Sequence, residues 1–283
     1  MISLLTNVTS LQAQQNLNNT QSALSNSIEQ LSSGLRINNA SDDAAGLGIS
    51  ESLQSQINSY GQATQNANDA VSLSQVAEGG MGQMQTIVSN MKQLAVESSN
   101  STLDSTERGY IQTEFTQLSS EINRISATTN FNGQNLLDGS ASSGLTFQVG
   151  IYNSANDRLS LSIGKLSAST HGSTSLHLAS ISLSTATNAQ AALNVFDTAI
   201  AQLSTARANI GTMQTRMQDA ITNLNTTTTD LTSANSQLSD VDVASATATM
   251  TQQNILEQAG IAVLGQANSM PQSALSLLQK ATQ

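Results

Sequence analysis

Near the C-terminus, Leu256, Gly260, Val263, Ala267, Met270, Ala274, Leu277 and Ala281 fall in unbroken steps of four and three. That spacing belongs to a helix with one apolar seam; a half-buried strand would repeat every second residue. Large and small residues take turns along it, and the small ones let a neighbouring backbone come close. The N-terminus carries a related pattern at Leu4, Val8 and Leu11 and again at Leu24, Ile28, Leu31 and Leu35, with a change of register near Leu17. Seams at both ends predict that the chain folds back and pairs its terminal helices. Two such helices, roughly 40 Å long at 1.5 Å per residue, leave apolar sides uncovered. The expectation is that further copies of the chain supply the missing walls.

Composition agrees with helix-on-helix packing. Hydrophobic residues make up 38% of the 283, but aromatics only 2%, with no Trp. The core must therefore use Leu, Ile, Val, Met and Ala. Between the ends, Gly34 and "NNASDD" predict a stop, followed by a helix starting near Ala44, with Ser41 or the aspartates as its N-cap. That helix runs through Ile49, Leu53 and Ile57 towards Val76. "EGGMG" (78–82) predicts a kink or weak point, and the pattern resumes at Met84, Val88, Met91 and Ala95. Another helix reads at Ile111, Phe115, Leu118, Ile122 and Ile125. The period then falls to two at Phe147, Val149 and Ile151 and at Leu159, Leu161 and Ile163, around "YNSAND", which predicts a β-hairpin. Helical spacing returns from Phe196 through Leu224 and Leu238, and "SDVDV" (239–243) breaks it. The expected fold class is mainly α: a long antiparallel helical bundle or coiled coil built by the N- and C-terminal halves, with a small β-hairpin region in the middle.

Several function classes lose support. The formal net charge is −10, and without basic clusters the chain repels phosphate backbones and anionic lipids. Neither nucleic acid nor membrane is an expected partner. No stretch reaches about 18 apolar residues, and the N-terminus lacks a basic, Sec-type leader. There is no Cys. No G-x-S-x-G, P-loop or H-E-x-x-H occurs, so neither catalysis nor a cofactor is expected. Asp42 and Asp43, like Asp240 and Asp242, read as helix-start carboxylates rather than metal ligands or an acid/base pair. His171 and His177 lie in a Ser-rich stretch and read as surface residues. The Ser and Thr of 140–184 read as a solubilising surface, with O-glycosylation as the alternative. Pro271 reads as a proline tolerated within a continuous helix.

"LSSGLRINNASDDAAGLGIS" (31–50), "MKQLAVESSNST" (91–102) and "EINRISATTNFNGQNLLDG" (121–139) resemble the N-terminal part of bacterial flagellin, and "NILEQAGIAVLGQANSMPQSALSLLQ" (254–279) is similar to its C-terminal part. The resemblance implies a subunit that self-assembles into the flagellar filament for swimming, secreted to the cell exterior. It also implies residues 1–40 and 240–283 as an inner terminal-helix domain and 41–139 and 188–239 as a helical rod. Residues 140–187 would then be a hairpin with a short variable segment and no large outer domain. Implied partners are the chain itself, the flagellar export apparatus and its chaperone, and the filament cap and hook-associated proteins. The family's innate-receptor patch falls on Asn90, Leu94 and Glu114. Asn90 stands where many flagellins have arginine, which weakens that contact. The segment before "DVD", often basic in the family, reads "ANSQLSD" (234–240), so its contacts must be apolar or amide hydrogen bonds. Arg36 is either a partner of an aspartate such as Asp42 or Asp43, on the same or a neighbouring subunit, or a solvated charge. The alternative function is a hook–filament junction protein. An enzyme or adhesin carried within a flagellin frame would need a larger insert.

Overall fold

The computed structural model describes residues 6–168 and 175–281, with 272–281 described by their helical backbone only. Leu4 and His171 lie outside the described residues, as do the side chains of Ala274 and Leu277. Five helices carry the fold: α1 (Val8–Ser33), α2 (Ala44–Ser98), α3 (Ser105–Thr128), α4 (Ala186–Ser239) and α5 (Val243–Ala281). Two short antiparallel hairpins lie between α3 and α4: β1 (Asn130–Phe131) with β2 (Gln134–Asn135), and β3 (Leu145–Gln148) with β4 (Arg158–Leu161). The chain forms two compact units, one drawn from Met1–Ser55 and Asp230–Gln283, the other from Gln56–Thr229. Helices α2 and α4 contribute residues to both.

In the unit drawn from 56–229, α2 buries one unbroken four-three row: Ala63, Ala67, Ala70, Ser74, Ala77, Met81, Met84, Val88, Met91, Ala95 and Ser98. Helix α4 answers with Ala189, Ala192, Phe196, Ala199, Leu203, Ile210, Met213 and Met217 in the same core. Such rows of period 3.5 hold long helices side by side. Phe115 of α3 meets Phe196 of α4 edge to face, with ring centroids 6.0 Å apart at 76°, the geometry favoured by the ring quadrupoles. Polar links also tie α2 to α4. The Arg207 guanidinium donates to Gln85 Oε1 at 2.7 Å, Gln214 donates to Glu78 at 3.3 Å, and Lys92 pairs with Asp197.

Helix α3 starts with a full capping box: the Asp104 carboxylate accepts from Glu107 N–H, and the Glu107 carboxylate accepts from Asp104 N–H. Arg108 closes the turn before it, donating to the carbonyls of Ser98 and Asn100.

The predicted hairpin is β3–β4, with Leu145 opposite Leu161 and Phe147 opposite Leu159. The β1–β2 hairpin turns on Asn132–Gly133, both at positive φ (50° and 78°). Asn-Gly is the pair that a two-residue hairpin turn demands. Helix α2 runs without interruption through "EGGMG", from Ala44 to Ser98. A Cβ at Gly80 would lie 2.8 Å from Thr129 Oγ1 and 2.9 Å from Leu137 Cδ1, whereas one at Gly79 would meet open space. Gly80 thus marks a close approach of the β1 segment to α2, and the bare backbone is what admits it.

The Ser-rich stretch is not all surface. Leu166, Ala168, Leu176, Leu178 and Leu183 join the core, Ser175 is buried, and Ser98 donates to the Leu183 carbonyl at 2.5 Å. His177 is exposed at a left-handed φ of 54°.

Candidate assembly site

In the other unit α1 and α5 pack antiparallel, the main helix–helix contact there. The covered face of α1 reads Ser10, Ala13, Leu17, Thr20, Leu24, Ser27 and Leu31. That of α5 reads Ala246, Met250, Gln253, Glu257, Gly260, Leu264, Ala267 and Pro271. Both run in steps of three and four, and both are rich in small or polar groups. A Cβ on Gly260 would lie 3.3 Å from Leu17 Cδ1, so α1 sits against the Gly260 backbone. Asn7 caps α1, accepting from Ser10 N–H at 3.1 Å, and its amide donates to the Ala267 carbonyl at 2.8 Å. Ser10 donates to Asn268 at 2.7 Å. Pro271 sits inside α5.

The predicted seam residues therefore divide. Gly260 and Ala267 on α5, and Leu24 and Leu31 on α1, lie on the intramolecular faces. Leu256, Val263 (57% exposed) and Met270 (46% exposed) on α5, and Val8, Leu11 and Ile28 on α1, lie at the surface. Ile255 and Ile261 add to the exposed aliphatic side of α5. Helix α1 carries one charged residue, Glu29, and α5 carries two, Glu257 and Lys280. The pair thus shows aliphatic, amide and hydroxyl groups with little charge.

Where α1 gives way to α2, the chain meets the α4–α5 break. Gly34 takes φ 75° as the left-handed cap of α1. Leu35 pairs with Asp240 across an antiparallel bridge, Arg36 N–H donates to the Ser239 carbonyl at 2.6 Å, and Val241 N–H donates to the Gly34 carbonyl at 3.0 Å. The Arg36 side chain donates to the Leu238 carbonyl at 2.7 Å, a cation on the open C-terminal carbonyls of α4. Asp42 accepts from the N–H groups of Asn38 and Asn39, and Asp43 accepts from Gly46 N–H at 2.8 Å. Asp242 does the same for α5 through Ala244 and Ser245. The structure does not join Arg36 to Asp42 or Asp43, and none of the three takes part in the ion pairs found among the described residues. In "ANSQLSD" the contacts are hydroxyl and amide bonds: Ser50 donates to Asn235 at 2.8 Å and Ser236 to Asp240 at 2.5 Å.

The other predicted positions lie in the 56–229 unit. Asn90 and Glu114 are exposed, and Leu94 is half-buried against the core. An open cavity of about 380 Å³ lies between Ser162–Leu166 and α4, lined by Thr198, Gln202, Thr205 and Asn209 among others, with no titratable group. Among the described residues no cluster of three His, Cys, Asp or Glu could hold a metal. No helix there is long and apolar enough to cross a membrane.

Residues 4–142 match the family model of the bacterial flagellin N-terminal helical region, and 193–278 match that of the C-terminal helical region. The chain belongs to the bacterial flagellins. It is 40% identical over 266 residues to a flagellin of Halalkalibacterium halodurans, covering 93% of each. To the flagellar filament 33 kDa core protein of Treponema phagedenis it is 35% identical, over 96% of this chain and 98% of that one. A solved structure described as a putative flagellar hook-associated protein from Vibrio parahaemolyticus aligns with TM-score 0.58 at 13% identity, over 70% of this chain and all of that one. That likeness concerns the fold alone. Near full-length matches to flagellins favour the filament subunit over the junction protein.

Proposed function

We propose that this flagellin, a structural subunit of the extracellular flagellar filament, polymerises through the outward side of its paired terminal helices. One observation carries the reading. Helices α1 and α5 cover Gly260, Ala267, Leu17 and Leu24 against each other and leave Leu256, Val263, Met270, Val8 and Leu11 facing water. A run of exposed aliphatics on a helix pair is a surface built to be covered. With so few charges on either helix, copies pack there without like-charge repulsion. In this reading residues 1–40 with 240–283 form the inner layer, 41–139 with 188–239 the rod, and 140–187 the hairpin with its short variable segment. The subunit travels through the flagellar export apparatus with a chaperone on its C-terminal part, and contacts the cap and hook-associated proteins. Asn90 weakens the innate-receptor contact, which Leu94 and Glu114 retain.

The test is Val263→Ser, with assembly started by ammonium sulfate or filament seeds and followed by negative-stain electron microscopy. The expected result is a folded subunit with unchanged helicity that forms no long filaments. Filaments of normal length from the variant would overturn the reading.

A further inference from the structure

The chain has no Cys, so its sulfur chemistry rests on methionine. The methionines are placed unequally. Met81, Met84, Met91, Met213 and Met217 are 0–4% exposed in the 56–229 core. Met270 is 46% exposed on α5, one heptad beyond Val263 on the outward stripe. A thioether reacts according to its access to the oxidant, and the sulfoxide it becomes is polar where the thioether was apolar.

We infer that Met270 is a reversible oxidation site through which a peroxide stops the free subunit from polymerising. This rests on the stripe being the covered surface. The peroxide O–O bond breaks as one oxygen bonds to Sδ; the sulfur loses two electrons, and the other oxygen leaves as water. The product places a polar sulfoxide on the stripe where the thioether was apolar, so a neighbouring copy would have to strip water from it to cover it. Once a subunit is assembled, the neighbour shields Met270, so the modification acts on subunits before they join. A dithiol reductant acting through methionine sulfoxide reductase returns two electrons to the sulfur and becomes a disulfide, the oxygen leaves as water, and the restored thioether brings back assembly competence.

The experiment treats folded full-length subunits with dilute hydrogen peroxide, maps the oxidised peptides by mass spectrometry, and then starts assembly with ammonium sulfate and measures the pelleted fraction. Met270 is expected to convert well before the five core methionines. The concentration needed for assembly should then rise about tenfold or more, the factor set by losing one favourable side-chain burial. Methionine sulfoxide reductase should reverse the rise. Met270→Leu, matched in volume but inert to peroxide, should assemble equally before and after treatment. If Met270→Leu loses assembly on treatment, another methionine such as the half-buried Met250 is responsible and the inference falls. It also falls if wild type carrying the Met270 sulfoxide assembles normally. Met270→Gln, never oxidised, separates the two layers. If it assembles like wild type, the stripe reading fails at this position and the inference with it. If it blocks assembly while the sulfoxide does not, the oxidation step alone fails.

Discussion

Gly79 and Gly80 are adjacent in the same helix, so substituting each by Ala separates local from tertiary effects. In helical conformation either change removes a residue costing about 1 kcal/mol relative to Ala. At Gly79 the new methyl meets nothing within 4 Å, so Gly79→Ala is expected to stabilise the subunit by up to about 1 kcal/mol. At Gly80 the methyl arrives 2.8 Å from Thr129 Oγ1, 3.1 Å from Thr129 Cγ2 and 2.9 Å from Leu137 Cδ1. Neither neighbour moves freely. Thr129 Oγ1 donates to the Ile125 carbonyl at 2.7 Å, and Leu137 is fully buried. Overpacking of this kind costs about 1–3 kcal/mol. Gly80→Ala should therefore be neutral to about 2 kcal/mol destabilising against wild type, and about 1–3 kcal/mol below Gly79→Ala. Urea unfolding of unassembled subunits, followed by far-UV circular dichroism, reads both variants against wild type. Equal gains from the two substitutions would refute the close approach of the β1 segment to α2.

Three further outcomes follow from the same geometry. The Asp138 carboxyl is held below the ordinary carboxylate range, first by the Ser140 hydroxyl, then by the Ser140 N–H and the Asn135 amide. A depressed carboxyl contributes stability that is present above the unfolded pKa of about 3.9 and lost as pH falls through the folded value. Asp138→Asn should thus lower stability at neutral pH and flatten the acid limb of a stability–pH profile; an unchanged limb would count against it. Phe196→Ala empties a fully buried ring site facing Phe115 and should cost about 3–5 kcal/mol in urea unfolding, and a loss under 1 kcal/mol would contradict that core. Asn7→Ala removes both the α1 cap and the tie to Ala267; about 1–2 kcal/mol of terminal-helix stability should go, seen as faster amide exchange in α1 and α5 while α3 is unchanged.

How much was legible depended on how local the signal was. The stop at Gly34, the start at Ala44 with Asp43 as its cap, and the break at 239–243 all stand where the residues predict them, because each is settled by backbone bonds within a few positions. The period-two runs at Phe147 and Leu159 marked their hairpin in the same way. Asn132–Gly133 also carried a local signal, the primed-turn pair, but it sits inside a motif that reads first as a family resemblance. In "EGGMG" glycine's helix cost is a local signal, while the close approach at Gly80 depends on Thr129, 49 residues on. The Ser-rich stretch 167–184 shows no clear period, and its polar composition hides Leu176, Leu178 and Leu183, which join the core.

By itself the sequence determined where helices run, where they stop and that each carries an apolar row, since 3.6- and two-residue periods are properties of the backbone. Only the tertiary structure decided which residues of a row are covered. Leu256, Gly260, Val263 and Ala267 share one period, yet α1 takes the glycine and the alanine and leaves the leucine and the valine in water. That choice depends on what lies opposite. Leu17 lies against the bare backbone of Gly260, Asn7 reaches the carbonyl of the small Ala267, and Ser10 bonds the Asn268 side chain.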